Sequence, residues 1–185
     1  MADEPLFARD VLITDFVVLD AGQTAAHALE ALAKAGVKYG IVTNGAGIPL
    51  TLITAGLLAA NRDPEIQFES ATMMPAFVVD VVVSLDQIVL YSAQSLVECP
   101  DMAGLIVENE GKVVGVLPRQ TIRHYAQQIK TRGGDITELA GVPQIRAKYF
   151  VCPKDKQHYK KLIIRYDPDD PPTCPYHNLV LLEQP

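Results

Sequence analysis

Metal-binding residue types crowd the last fifth of the chain. Between positions 149 and 185 stand two of the three cysteines and two of the four histidines, in the order Cys152-x5-His158-x15-Cys174-x2-His177. Thiolate and imidazole are the donors that tetrahedral zinc takes, and a Cys-x2-His pair can place two of them on one ion. Cys152, His158, Cys174 and His177 are therefore the candidate metal set. A competing reading makes Cys152 a small core residue on a strand and leaves Cys174 and His177 in a Pro-rich turn without metal. The cations Arg119, Arg123 and His124 form a small basic face that can meet an anion or simply face water. Cys99, in Glu98-Cys99-Pro100-Asp101, has no histidine near it in sequence to activate a thiolate. Asn44-Gly45-Ala46-Gly47 has the glycines of a phosphate loop without the Lys-Ser/Thr that must follow them. With no nucleophile elbow, zinc-protease helix or carboxylate pair in view, the expected class is a binding protein and not an enzyme.

Composition bounds what can carry these residues. The chain has 185 residues, 49% hydrophobic and 21% charged, enough for one sizeable core or two small fused ones. A net charge of −6 repels nucleic-acid backbones. No apolar run reaches membrane-spanning length, and the acidic start Met1-Ala2-Asp3-Glu4-Pro5 does not read as a secretion signal. Three cysteines, an odd number, do not make a disulfide framework, so a reducing cytoplasm is expected.

The elements follow from a repeat. Shifted by 64 residues, the two halves line up without a gap: Val17-Val18-Leu19-Asp20 meets Val81-Val82-Val83-Ser84, and Leu50-Thr51-Leu52-Ile53 meets Val114-Gly115-Val116-Leu117. Each half opens with a β-rich run (16–19; 79–83) that ends in a helix-start signal, Asp20-x-x-Gln23 or Ser84-x-x-Gln87. Helices follow with apolar residues at 3–4 spacing, on Ala25, Ala28, Leu29 and Leu32 and again on Ile88, Val89 and Leu96. A hairpin comes next (39–42 with 49–53; 103–107 with 112–117), and a helix closes each half (55–61; 119–130). His27 falls on the first helix, as a surface or dimer-interface side chain. Residues 61–65 are a polar connector. The expected fold is α/β (α+β), with repeats at 6–62 and 70–130 around a pseudo-twofold axis and an extension at 131–185 that holds a short helix near 136–140.

This twice-repeated β-α-β-β-α unit resembles the paired CBS domains, or Bateman module, over roughly residues 6 to 128. The likeness rests on the strand and capped helix of 17–29 and on the hairpin of 103–117. It implies a regulatory module that binds AMP, ATP or S-adenosylmethionine between its sheets and forms homodimers through its helices. The residues it implicates are Thr14, Phe16, Tyr39, Thr54, Arg119 and Thr121. In the family's nucleotide stretch a Gly precedes a hydroxyl, and a carboxylate that holds the ribose follows. Here Thr51, Thr54 and Leu57 stand at those positions in the first repeat, and Gly115, Pro118 and Thr121 in the second. A ribose carboxylate is worth about 1.5–3 kcal/mol when its hydrogen bond is fully made, so its loss favours an alternative: a dimerising adaptor without nucleotide that recruits a protein partner through its tail. The tail itself, with Cys152-Pro153 and Cys174-Pro175-Tyr176-His177, looks like a degenerate zinc ribbon or rubredoxin-like knuckle. It has one cysteine where such ribbons carry a Cys-x-x-Cys pair. The acidic stretch 167–172 reads as a solvated loop.

Overall fold

The computed structural model describes residues 5–60, 63–68, 76–89, 102–131, 148–154, 160–163, 171, 173–174 and 177–184. The expected helix near 136–140, His158, Cys99 and the acidic stretch up to Asp170 lie outside the described residues.

The first repeat runs β1 (Phe16–Asp20), α2 (Ala25–Ala35), β2 (Tyr39–Thr43), β3 (Pro49–Thr54) and α3 (Ala55–Ala60), preceded by one helical turn, α1 (Ala8–Val11). β1 pairs parallel with β2, and β2 antiparallel with β3. The start of α2 is set by Thr24, not by Asp20 as its Gln23 spacing suggested. The Thr24 hydroxyl accepts from the His27 N–H at 3.3 Å, while the exposed Asp20 carboxylate accepts from Gly22 N–H at 2.8 Å in the turn that precedes the helix. Gly36, at φ 68°, ends α2 in the left-handed conformation that a side chain would strain. Ala25, Ala28 and Leu32 form the buried face of α2. The β2–β3 turn is held by Asn44 Oδ1, which accepts from the N–H groups of Ala46 and Ile48.

The second repeat follows the same plan with β4 (Phe77–Asp80), a helix α4 described over residues 85–89, β5 (Gly104–Asn109), β6 (Lys112–Pro118) and α5 (Arg119–Thr131). β4 ends earlier than the apolar run 79–83 suggested, because Val81 and Val82 form the turn. Asp80 imposes that turn, accepting from Val82 N–H at 3.1 Å just as Asp20 does from Gly22. A side chain that supplies its own turn overrides the strand preference of valine. The capping box forms as expected: Ser84 Oγ accepts from Gln87 N–H, and Gln87 Oε1 from Ser84 N–H.

The uniform 64-residue shift does not survive. Asp20 corresponds to Asp80, an offset of 60. Pairing with β1 and β4 then sets Thr43 against Glu108, an offset of 65, and the hairpin partners set Thr54 against Pro118, an offset of 64. The linkers between matched elements differ in length, and sequence periodicity averages over them.

The leading segments are exchanged between repeats. Phe7 bridges Ser84 on the second repeat, and Gln67 bridges Thr24 on the first. Leu85 N–H donates to Leu6 O, as Ala25 N–H donates to Ile66 O; Ala8 N–H donates to Val83 O, as Phe68 N–H donates to Gln23 O. Every one of these pairs maps onto its counterpart when 60 is added to one partner and subtracted from the other. That is the signature of a pseudo-twofold rotation. Ala8 therefore packs in the core of the second repeat with Leu85, Ile88 and Leu117, and Phe68 in the core of the first with Leu19 and Leu32. A third core, with Ile41 and Leu52 against Val78, Ile106 and Val116, joins the two sheets. Each such aliphatic side chain contributes about 1.5–3 kcal/mol by leaving water.

The tail extends the second sheet. β7 (Lys148–Val151), β8 (Lys160–Ile163) and β11 (Leu182–Gln184) lie in the strand order β11-β7-β8-β4-β5-β6, with β8 parallel to β4. β9 (Thr173–Cys174) and β10 (Leu179–Val180) form a separate small hairpin. In the first repeat, β1 is the edge of its three-stranded sheet.

Candidate functional site

Three of the residues implicated in nucleotide binding fall into one row across the first sheet. Phe16 lies opposite Tyr39 in the β1–β2 register, and Tyr39 opposite Thr54 in the β2–β3 register. Phe16 and Tyr39 are half-buried and pack against the core that joins the sheets. Burial raises the phenol pKa of Tyr39 above its ordinary value of 10.0, so the ring is neutral at physiological pH. Thr54 closes β3 and caps α3: its Oγ1 accepts from Leu57 N–H at 3.2 Å. A hydroxyl that accepts this bond still has its own O–H to donate.

In the second repeat Gly104 lies opposite Pro118 in the β5–β6 register, and Ala76, which stands 60 residues after Phe16, precedes β4. These three positions carry no aromatic and no hydroxyl. Gly104 is required there, because a Cβ would lie 2.3 Å from the Leu117 carbonyl oxygen and 3.0 Å from Pro118 Cα. Sequence reasoning did not single out Ala76 or Gly104; small size beside a strand end is a weak signal without the register.

Thr14 stands outside this row, on the segment that precedes β1. Ile13 exchanges two backbone hydrogen bonds with Val116, at 2.8 and 2.9 Å, so the strap that ends at the exposed Thr14 crosses β6 of the second repeat. Gly115 permits this crossing, since a Cβ there would meet Leu12 Cδ1 at 2.7 Å and the Ile13 carbonyl oxygen at 2.9 Å. Arg119 and Thr121 stand in the first turn of α5, at the positions that Ala55 and Leu57 hold in the first repeat. Thr121 lines an open depression of about 530 Å³ with Gln120, Arg123, His124 and Gln127. The six residues thus divide between two halves: Phe16, Tyr39 and Thr54 on the first sheet, and Thr14, Arg119 and Thr121 by the second.

The tail brings three of the four candidate metal ligands together. Cys152 directly follows β7, Cys174 closes β9, and His177 lies in the turn to β10. Their ligand atoms all lie within 4.8 Å of one another. His177 Nδ1 is 3.3 Å from Cys152 Sγ and 3.8 Å from Cys174 Sγ. Both cysteines are fully buried, beside Phe150, Leu181 and Ile48, and neither is in a disulfide.

No protein-family model and no curated relative matches the sequence. Solved structures do match the fold. A CBS domain pair solved with 5′-methylthioadenosine and S-adenosyl-L-methionine superposes on 67% of this chain and 98% of its own, at 14% identity and a TM-score of 0.52. The CBS domain of a membrane protein from Sphaerobacter thermophilus covers 66% of this chain and 89% of its own, at 13% identity and a TM-score of 0.52. The chain has the fold of a CBS-domain pair. The cytosolic domain of the magnesium channel MgtE, solved with ATP, also matches at 18% identity and a TM-score of 0.51; there the superposition covers 66% of this chain and about half, 49%, of the channel domain. In this chain the two corresponding rows are unequal. The first has aromatic rings and a hydroxyl but Leu57 at the carboxylate position, whereas the second has small residues and Pro118, with Arg119 and Thr121 at its helix start. Among the described residues, no helix is long and apolar enough to cross a membrane.

Proposed function

We propose that this chain is a regulatory module that binds an adenine nucleotide, AMP or ATP, or S-adenosylmethionine, at the groove floored by Phe16, Tyr39 and Thr54. The row of two half-buried rings ending in a capping hydroxyl carries the reading. A purine can lie against the rings, where flat apolar surface and stacking favour it. The Thr54 O–H can donate to a ribose oxygen while its lone pair stays on Leu57 N–H. Arg119 and Thr121 supply a phosphate-pairing cation and a hydroxyl at the second groove. The bound ligands of the similar structures, ATP in one and 5′-methylthioadenosine with S-adenosyl-L-methionine in the other, support the ligand class.

The module works as a regulator and not as an enzyme. Each repeat's leading segment is seated on the other repeat, so a ligand that prefers one relation of the two halves shifts the whole unit. We further propose that two copies pair through their helices, where α2 leaves Leu29 40% exposed, and that the module operates in the cytoplasm. Leu57 and Pro118 favour the second reading, an adaptor that holds no nucleotide and recruits a protein through its tail.

Thermal melts separate the two. A ligand at about 100 times its dissociation constant stabilises the folded state by about 2.7 kcal/mol, which raises the melting temperature by about 5–10 °C for a chain of this length. No shift with AMP, ATP or S-adenosylmethionine at millimolar concentration removes the sensor and leaves the adaptor.

A further inference from the structure

We propose that Cys152, Cys174 and His177 bind one zinc ion, and that this ion fastens the β9–β10 hairpin to the end of β7. The argument is geometric and independent of the nucleotide reading. In tetrahedral coordination, zinc–sulfur bonds of about 2.3 Å and zinc–nitrogen bonds of about 2.05 Å put sulfur and nitrogen about 3.6 Å apart. The two sulfur–nitrogen distances here are 3.3 and 3.8 Å, on either side of that edge. The three donor atoms all lie within 4.8 Å of one another, and an ion bound tetrahedrally at about 2.3 Å from each sulfur would hold the two sulfurs about 3.8 Å apart.

The chain places these donors from distant points. Cys152 comes from the end of a strand in the large sheet, whereas Cys174 and His177 come from the two sides of a tight turn. In that turn Asn178 N–H donates to Cys174 O at 2.8 Å, and Asn178 has a φ of 50°. The turn carries the His177 ring back over the Cys174 sulfur. Two buried thiolates and a dication cancel in charge, so the ion resolves the cost of ionising thiols away from water. Two thiolates with an imidazole select a borderline-soft ion of the zinc type over magnesium or calcium. The three donors leave one tetrahedral position for a further ligand.

The site also touches the first repeat. Ile48, beside the β2–β3 turn, packs on the cluster formed by Phe150, Cys152, Cys174 and Leu181. Zinc therefore sets the tail against the repeat unit as well as closing the tail on itself.

The test uses the full chain purified under reductant. Elemental analysis should find about one zinc per chain, and cobalt loading should give the thiolate charge-transfer and visible bands of a tetrahedral cobalt–sulfur site. Cys174→Ser and His177→Ala should each lower zinc affinity at least tenfold, whereas Cys99→Ser should leave it unchanged. The cobalt spectrum of the unaltered protein keeps the proposal testable if a core variant fails to fold. It is overturned if the reduced protein, offered excess zinc or cobalt, retains no metal and shows no such band. A Cys152–Cys174 disulfide that forms in place of metal uptake, or folded variants that hold zinc as tightly as the parent, also overturn it.

Discussion

Gly115 offers the sharpest test of how the halves are joined. A Cβ added there would sit 2.7 Å from Leu12 Cδ1, 3.2 Å from Leu12 Cβ and 2.9 Å from the Ile13 carbonyl oxygen. The Leu12 methyl can swing aside. The Ile13 carbonyl cannot, because Ile13 exchanges hydrogen bonds of 2.8 and 2.9 Å with Val116 on the same stretch of β6. Gly115→Ala must therefore strain or break the strap, and overpacking of this kind costs about 1–3 kcal/mol. For a chain of this size that lowers the melting temperature by about 2–12 °C. Leu12→Ala in the Gly115→Ala background should recover only the part due to the Leu12 side chain. Gly45→Ala is the control: nothing lies within 4 Å of its Cβ position and its φ is not positive, so it should be neutral or slightly stabilising. Thermal and urea unfolding of the four proteins measures the differences. A Gly115→Ala melting temperature within 1 °C of the parent would refute the strap geometry, and with it the placing of Thr14 beside the second repeat.

Thr24→Ala and Ser84→Ala should each cost about 0.5–2 kcal/mol, read as a lower urea midpoint at unchanged slope, because each removes a helix cap. Leu57→Asp restores a carboxylate one turn past Thr54 and should tighten adenine-nucleotide binding about ten- to hundred-fold in titration calorimetry; an unchanged affinity counts against ribose recognition at this groove. Tyr39 has its phenol pKa raised by burial, so the unfolded chain ionises that group first as pH climbs. Its contribution to stability is whole below pH 10 and is lost as pH rises through the folded-state value. Tyr39→Phe should therefore flatten the alkaline fall of the melting temperature, and an unaltered alkaline limb would show that Tyr39 is not the group responsible.

Much of the architecture was legible in the residues. Two β-α-β-β-α units follow from apolar periodicity, from Ser84-x-x-Gln87 and from the hairpins at 39–53 and 103–117, because these are local preferences that act within a few residues. The Phe16–Tyr39–Thr54 row needed more. Each residue was implicated separately, and only strand register aligned them, since register depends on which strands pair and where their bulges fall.

The linear order of the residues determined the duplication, the capping box at Ser84 and Gln87 and the presence of a thiol–imidazole tail, whereas it pointed to Asp20 for the helix start that Thr24 caps. Tertiary structure alone decided three things. The leading segments swap between repeats, β8 of the tail pairs with β4 and carries β7 and β11 into the second sheet, and Cys152 meets Cys174 and His177 in one cluster. The reason is common to all three. Each depends on surfaces that are distant in sequence, and burial of apolar area together with pairing of sheet edges selects partners by shape and exposure, which no spacing in the chain encodes.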